Sequence, residues 1–183
     1  EALALYARWN GAENDRIRAS YAPRFAVSCT DRLLSEVARI SREQGALIHT
    51  HACENRKEIE FVRELTGKGN IEHLDSLGLM SERLVLAHCV WLTEEEKRRL
   101  KSTGTHVAHC PSSNLKLASG IAPIPELLQM GISVSLGADG APCNNRLDAL
   151  GEMRLAALVH KPGSGPKAIR AQEALDLATR NGA

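Results

Sequence analysis

Short, nearly continuous apolar runs alternate along this chain with longer stretches whose apolar residues recur every three or four positions. The runs at 46–50, 83–87, 105–108 and 132–136 each predict a strand buried on both faces. An earlier run, 17–29, is interrupted by Pro23 and predicts a strand, a break and a loop beyond it. The helical stretches are 2–9, with a polar exit at 10–15, and a helix capped by Thr30 or Asp31. That helix carries Leu33, Leu34, Val37, Ala38 and Ile40 on one side and is ended by Gly45. Residues 56–65 are helical again, with Ile59, Phe61 and Val62 on the inner side, and 70–79 form a shorter amphipathic segment. Thr93, followed by Glu94, Glu95 and Glu96, reads as a capped, acidic helix start that closes at Gly104. Residues 110–120 read as a loop, 124–130 as a short helix, and 147–160 and 171–181 as a final helix pair separated by a loop at 161–166.

Buried strands alternating with helices indicate an α/β fold with a parallel sheet. An open doubly wound sheet would carry a glycine-rich phosphate turn after a strand, and neither G-x-G-x-x-G nor G-x-x-x-x-G-K is present. The polar residues that close the strands, His51, His88, His109 and Asp139, suit instead a (β/α)8 TIM barrel, whose chemistry gathers at the C-terminal strand ends. A full barrel takes about 250 residues and eight strands. The prediction is therefore a partial barrel: residues 1–183 hold roughly the last five strands with their helices, and the earlier strands and any small β domain are expected elsewhere. The ends agree, since the chain opens at Glu1 inside a helical pattern and closes just after another.

Composition narrows the partners. The chain is 43% hydrophobic and 25% charged, enough for a sizeable core. The formal net charge is +1 with Lys and Arg scattered, which argues against a nucleic-acid partner. No apolar run approaches the ~20 residues that span a bilayer, and no signal-peptide pattern stands at the start, so no membrane partner and a cytoplasmic location are expected. The five cysteines are odd in number and never spaced Cys-x-x-Cys, so they are expected to be reduced thiols.

The candidate chemistry begins at His51 and Glu54. A histidine can hold a divalent metal and a carboxylate three residues on can move a proton, although the same pair also fits one face of an exposed helix. A lone strand-end histidine is more often a satisfied side chain than a ligand, and an Asp between glycines more often a turn former. Recurrence at four successive strand ends makes independent accident a poor account. A cysteine nucleophile is disfavoured: Cys53, Cys89 and Cys110 lie close in sequence to strand-end histidines, and adjacent strand residues point to opposite faces.

The ordered set His51-x-x-Glu54, Ala87-His88, Ala108-His109 followed by Cys110, Pro111, Ser112, Ser113 and Asn114, and then Gly137-Ala138-Asp139-Gly140 resembles the amidohydrolase superfamily in its aminohydrolase branch. That branch includes guanine deaminase, the methylthioadenosine and S-adenosylhomocysteine deaminases and the triazine hydrolases. The resemblance runs from about residue 17 to the end. The stretch from Ala22 to Phe25 is similar to guanine deaminase, whereas that from Ala138 to Asn145 is closer to the adenosine-derivative and triazine group.

The resemblance implies a metal-dependent hydrolytic deaminase of an amino-substituted N-heterocycle, a guanine-like purine or an adenosine derivative, releasing ammonia. The alternatives are a triazine-type chlorohydrolase and a non-catalytic barrel serving binding or assembly. It implies one divalent metal ion, zinc first and iron second, held by His51 and Asp139, with Asp139 also helping to deprotonate the water. Glu54 would shuttle the proton, and His88 would hydrogen-bond the hydroxide or the addition intermediate. Arg24, His109, Ser113 and Asn114 would face the substrate, Arg24 having a solvated loop arginine as its other reading. His49 is expected beside the ligand or on the opposite face, and His73, His106 and His160 on the surface. The family's His-x-His from the first barrel strand has no counterpart before this region, so residues 1–183 by themselves are expected to be inactive. The partners implied are a small heterocyclic substrate and water, with a homodimer left open.

Overall fold

Along 47–52 every second residue is buried: Ile48, Thr50 and Ala52 are covered, while Leu47 and His49 are exposed and His51 is half-buried. That period of two sets the architecture, because it gives the strand one face for packing and one for chemistry. The computed structural model describes residues 1–183. Helix α1 (Ala2–Trp9) and the single turn α2 (Ala12–Asp15) lead into β1 (Ser20–Tyr21), followed by α3 (Asp31–Gln44), β2 (Leu47–Ala52), α4 (Arg56–Thr66) and α5 (Asn70–Ser76). Then come β3 (Leu84–His88), α6 (Glu94–Thr103), β4 (His106–His109), α7 (Pro111–Lys116), α8 (Ile124–Gln129) and β5 (Val134–Leu136). The turn α9 (Ala141–Asn144), helix α10 (Ala149–Val159), turn α11 (Lys161–Ser164) and helix α12 (Ala171–Ala178) complete the order, ahead of a 3-10 turn at Arg180–Gly182.

All five strands are parallel and lie in sequence order β1-β2-β3-β4-β5. A doubly wound sheet reverses its strand order at a switch point. This one does not, so it forms an arc of a (β/α) barrel, as the strand-end pattern predicts. The register places Thr50 beside Leu86, Leu86 beside Val107 and Val107 beside Val134. This row is fully buried, and its aliphatic members belong to one cluster with Leu34, Leu100 and Leu127 from the covering helices. Each such aliphatic side chain stabilises the fold by roughly 1.5–3 kcal/mol. The other face carries His51, Ala87, Ala108 and Ser135 in one row.

Local signals end the helices as expected. Thr30 Oγ1 accepts from Leu33 N at 3.3 Å, and Gly45 closes α3 with a left-handed φ of 66°. Thr93 and Glu96 form a full capping box on α6.

Several expectations need correction. The strand expected in 17–29 is only the two residues of β1, with an isolated bridge from Phe25 to His51 beyond the Pro23 break. The 110–120 loop contains α7, where Pro111 fixes the first helical turn, and the 161–166 loop contains α11. Phe61 is exposed. The buried side of α4 runs through Glu58 and Val62, four residues apart, and Phe61 lies about 100° away from Val62. His73 and His160 are buried, not superficial: His73 Nε2 sits 3.2 Å from Asp31 Oδ1, joining α5 to the start of α3. His106 is half-buried, its Nε2 3.1 Å from the Glu82 carbonyl. No helix is long and apolar enough to cross a membrane.

Candidate functional site

Three strand ends leave the regular backbone through left-handed residues. Cys53 has φ +56° after β2, His88 has φ +75° and Cys89 φ +48° at the end of β3, and Asp139 has φ +61° after β5. Such a conformation costs an L-residue about 1–2 kcal/mol and needs surrounding structure to hold it. At His88 it serves a visible purpose. By strand alternation His88 would share the buried face of Leu84 and Leu86, yet its ring centroid lies 5.3 Å from that of His51 on the other face.

The result is a cluster in which one donor atom each from His51, His88 and Asp139 lies within 4.8 Å of the other two. Each donor is oriented by a neighbour. His51 Nδ1–H donates to the Arg24 carbonyl at 2.6 Å, and the same carbonyl accepts from His51 N and Thr50 Oγ1. His51 Nε2 is thereby left with its lone pair free. His88 Nδ1–H donates to Asn114 Oδ1 at 2.8 Å, which directs Nε2 to the site, 3.9 Å from Glu54 Oε2. Asp139 Oδ2 accepts from the Ser113 hydroxyl and Oδ1 from Gly140 N. Burial alone would raise the Asp139 carboxyl, but the Ser113 hydroxyl, the Gly140 N–H and the nearby His88 and His51 rings outweigh it and hold the group below its ordinary value. Two imidazole nitrogens with free lone pairs and an ionised carboxylate at this spacing fit a divalent cation, to be closed by small side-chain movements.

Glu54 is half-buried beside this cluster, its Oε1 accepting from Ser119 Oγ at 3.3 Å. The remaining predicted residues take other places. The Arg24 side chain is exposed over the Phe25 ring, and its contribution to the cluster is its backbone carbonyl. Ser113 and Asn114 are buried on α7 and act on Asp139 and His88 rather than lining open space. His109 shares the buried face of Val107 and meets His160, which caps the C-terminal end of α10, Nε2 to Nε2 at 3.3 Å. His49 is on the same face as His51, ring centroids 6.4 Å apart, not on the opposite one. The thiols are poor nucleophiles: burial pushes Cys53 and Cys89 well up and Cys110 to about 12.

Two residues that matter carry no strand-end signal. Glu58 of α4 is buried and accepts from the backbone of Cys53 and Glu54. Glu152 of α10 is buried and accepts from Ser112 N at 3.1 Å and Asn144 Nδ2 at 2.7 Å, joining the helix of Ser113 to the loop after Asp139. Both sit in helices, where an acidic residue ordinarily reads as part of a solvated face. For Glu58 the spacing Asn55-x-x-Glu58 offered a capping-box hint.

The amidohydrolase family model matches residues 1–183. The chain is 44% identical over 184 residues to a 5-methylthioadenosine/S-adenosylhomocysteine deaminase of Pelotomaculum thermopropionicum, covering 100% of this chain and 42% of that protein. It is 41% identical over 176 residues to a 5'-deoxyadenosine deaminase of Methanosarcina mazei, covering 96% of this chain and 41% of that protein. Among solved structures, an adenosine deaminase from Xanthomonas campestris with bound zinc superposes with a TM-score of 0.94 at 31% identity, over 99% of this chain and 41% of the other. The chain thus spans about two fifths of the length of the curated relatives it matches.

Proposed function

The chain belongs to the amidohydrolase family, and from that premise we propose that the protein is a metal-dependent hydrolytic deaminase that converts an adenosine derivative and water into the 6-oxo purine and ammonia. The observation that carries the reading is the convergence of His51, His88 and Asp139 beside Glu54. The adenosine-derivative assignment, preferred here to a guanine-like purine, is supported by the relatives named above.

His51 and Asp139 would hold the divalent cation, zinc by the donor set. Catalytic zinc usually takes three protein ligands, so further donors are required beyond these two. When bound, the cation supplies Lewis acidity that brings the pKa of a coordinated water down to about 7. Glu54 takes a proton from the attacking water and passes it to ring nitrogen N1 as oxygen adds to C6. It then takes the remaining proton of the added oxygen and delivers it to the departing amine, so that C6–N breaks, C6=O forms and ammonia leaves. His88, with Nδ1–H fixed on Asn114, presents the Nε2 lone pair as an acceptor to the added hydroxyl and orients it. Asp139, kept ionised, helps withdraw the water's proton.

The test is ammonia release by the zinc-loaded full-length protein from 5'-deoxyadenosine, methylthioadenosine, S-adenosylhomocysteine, adenosine and guanine, with chloride release from a chlorotriazine assayed alongside. Turnover of an adenosine derivative, lowered about 10²- to 10⁴-fold in Glu54→Gln, is expected. Undiminished turnover in Glu54→Gln or Asp139→Asn overturns the mechanism. Chloride release alone moves the protein to the chlorohydrolases, and silence on every substrate leaves the binding barrel.

A further inference from the structure

In an ordinary capping box the acidic residue at the third helical position bonds back to the N-cap amide, as Glu96 does to Thr93 N at 2.8 Å. Glu58 holds the same position on α4, whose N-cap is Asn55, but reaches past it. Its Oε2 accepts from Glu54 N at 2.7 Å and its Oε1 from Cys53 N at 3.1 Å, with Asn70 Nδ2 a third donor, on Oε1. The carboxylate is buried, and burial raises its pKa against the pull of the neighbouring backbone amides. The peptide it grips is the left-handed one at Cys53, held from its other side by Val90 N and Trp91 N on the Cys53 carbonyl at 2.9 and 3.0 Å.

We propose that Glu58 is a positioning residue for the proton shuttle: by clamping the amides of Cys53 and Glu54 it fixes the direction in which the Glu54 carboxylate leaves the strand end. The inference rests on Glu54 being the shuttle of the proposed reaction. Three N–H donors converge on two oxygens, which only a carboxylate satisfies. Glutamine has the same length, yet whichever way its amide turns, an NH2 faces a backbone N–H. Displacement of a reacting group by about 1 Å costs on the order of 10²-fold in rate.

The test compares Glu54→Gln, Glu58→Gln and the double variant Glu58→Gln/Asn70→Asp in the full-length zinc-loaded protein. Glu58→Gln is expected to lower kcat roughly 10- to 100-fold while KM stays within about threefold. In the double variant the carboxylate introduced at position 70 accepts from the new amide NH2 and the remaining oxygen keeps Glu54 N, while Cys53 N stays without its acceptor, so part of kcat returns. If Glu54→Gln abolishes turnover and Glu58→Gln matches the unmutated protein, the positioning role is overturned and the reaction stands. If Glu54→Gln turns over normally, the reaction itself falls. A rise in KM that accounts for the whole loss also overturns the role. Hydrogen exchange on the unmutated protein needs no variant: the amides of Cys53 and Glu54 should exchange as slowly as those inside β2, and fast exchange of both overturns the clamp.

Discussion

At the scale of single residues, the site is built from groups that settle which nitrogen or oxygen its neighbours offer. The Arg24 carbonyl chooses the tautomer of His51, and Asn114 that of His88. Asn114 is therefore worth more through His88 than through any contact of its own with substrate. In Asn114→Ala the Nδ1–H of His88, already buried, loses its acceptor, at a cost of about 1–3 kcal/mol. The ring also loses the bond that aims Nε2. The expected outcome is a lower denaturation midpoint together with a roughly 10- to 100-fold fall in kcat, read by steady-state kinetics on the same preparation. Arg24→Ala is the contrasting variant, because the exposed guanidinium can go while the carbonyl stays, and His51 should keep its orientation.

At the scale of elements, periodicity revealed most of the fold because the strands that matter are buried on one or both faces and the helices end in plain caps. His51, His88 and Asp139 were legible for a related reason, each being a polar residue that closes or follows an apolar run. The misread residues share another physics. Glu58 and Glu152 are buried by backbone amides of other segments, and no local pattern announces such a partner. His109 and His160 were the converse. His109, at a strand end, looked like a site residue, and His160, at a helix end, looked superficial, yet the two rings close the contact between β4 and α10. That contact has a pH signature. Burial, with smaller contributions from His160 and His88, pushes His109 down to about 3, and burial pushes His160 to about 4. Both are thus neutral when folded but take up a proton near pH 6.5 when unfolded. The unfolded state binds more protons below that value, so stability is full above about pH 6.5 and is lost as pH falls toward 4. Urea midpoints measured from about pH 7.5 to 4.5 should fall by the equivalent of a few kcal/mol, and the slope should flatten when both histidines are replaced by Leu. An unchanged slope would place the acid sensitivity elsewhere.

At the scale of the whole molecule, β1 and β5 have no strand on their outer sides, although Asn181 Nδ2 takes up the Val134 carbonyl of β5, and the face bearing His49 and Leu47 is exposed while the helix side is closed. Leu3, Leu5 and Trp9 of α1 and Leu150 of α10 are exposed as well. Unpaired parallel edges and uncovered apolar residues are templates for association, since parallel sheets are stable only when both faces are covered. The same openness bears on metal binding. His51 and Asp139 face a side that water reaches, and two protein ligands plus His88 form a weaker site than the enclosed set that catalytic zinc requires. Residues 1–183 expressed by themselves should therefore keep helical circular dichroism but elute as oligomers in size-exclusion chromatography. They should bind zinc at least about 100-fold more weakly than the full-length protein in a chelator competition, a gap of roughly 3 kcal/mol. Equal zinc affinity in the two would mean that the arc alone completes the site, and the requirement for further donors would be withdrawn.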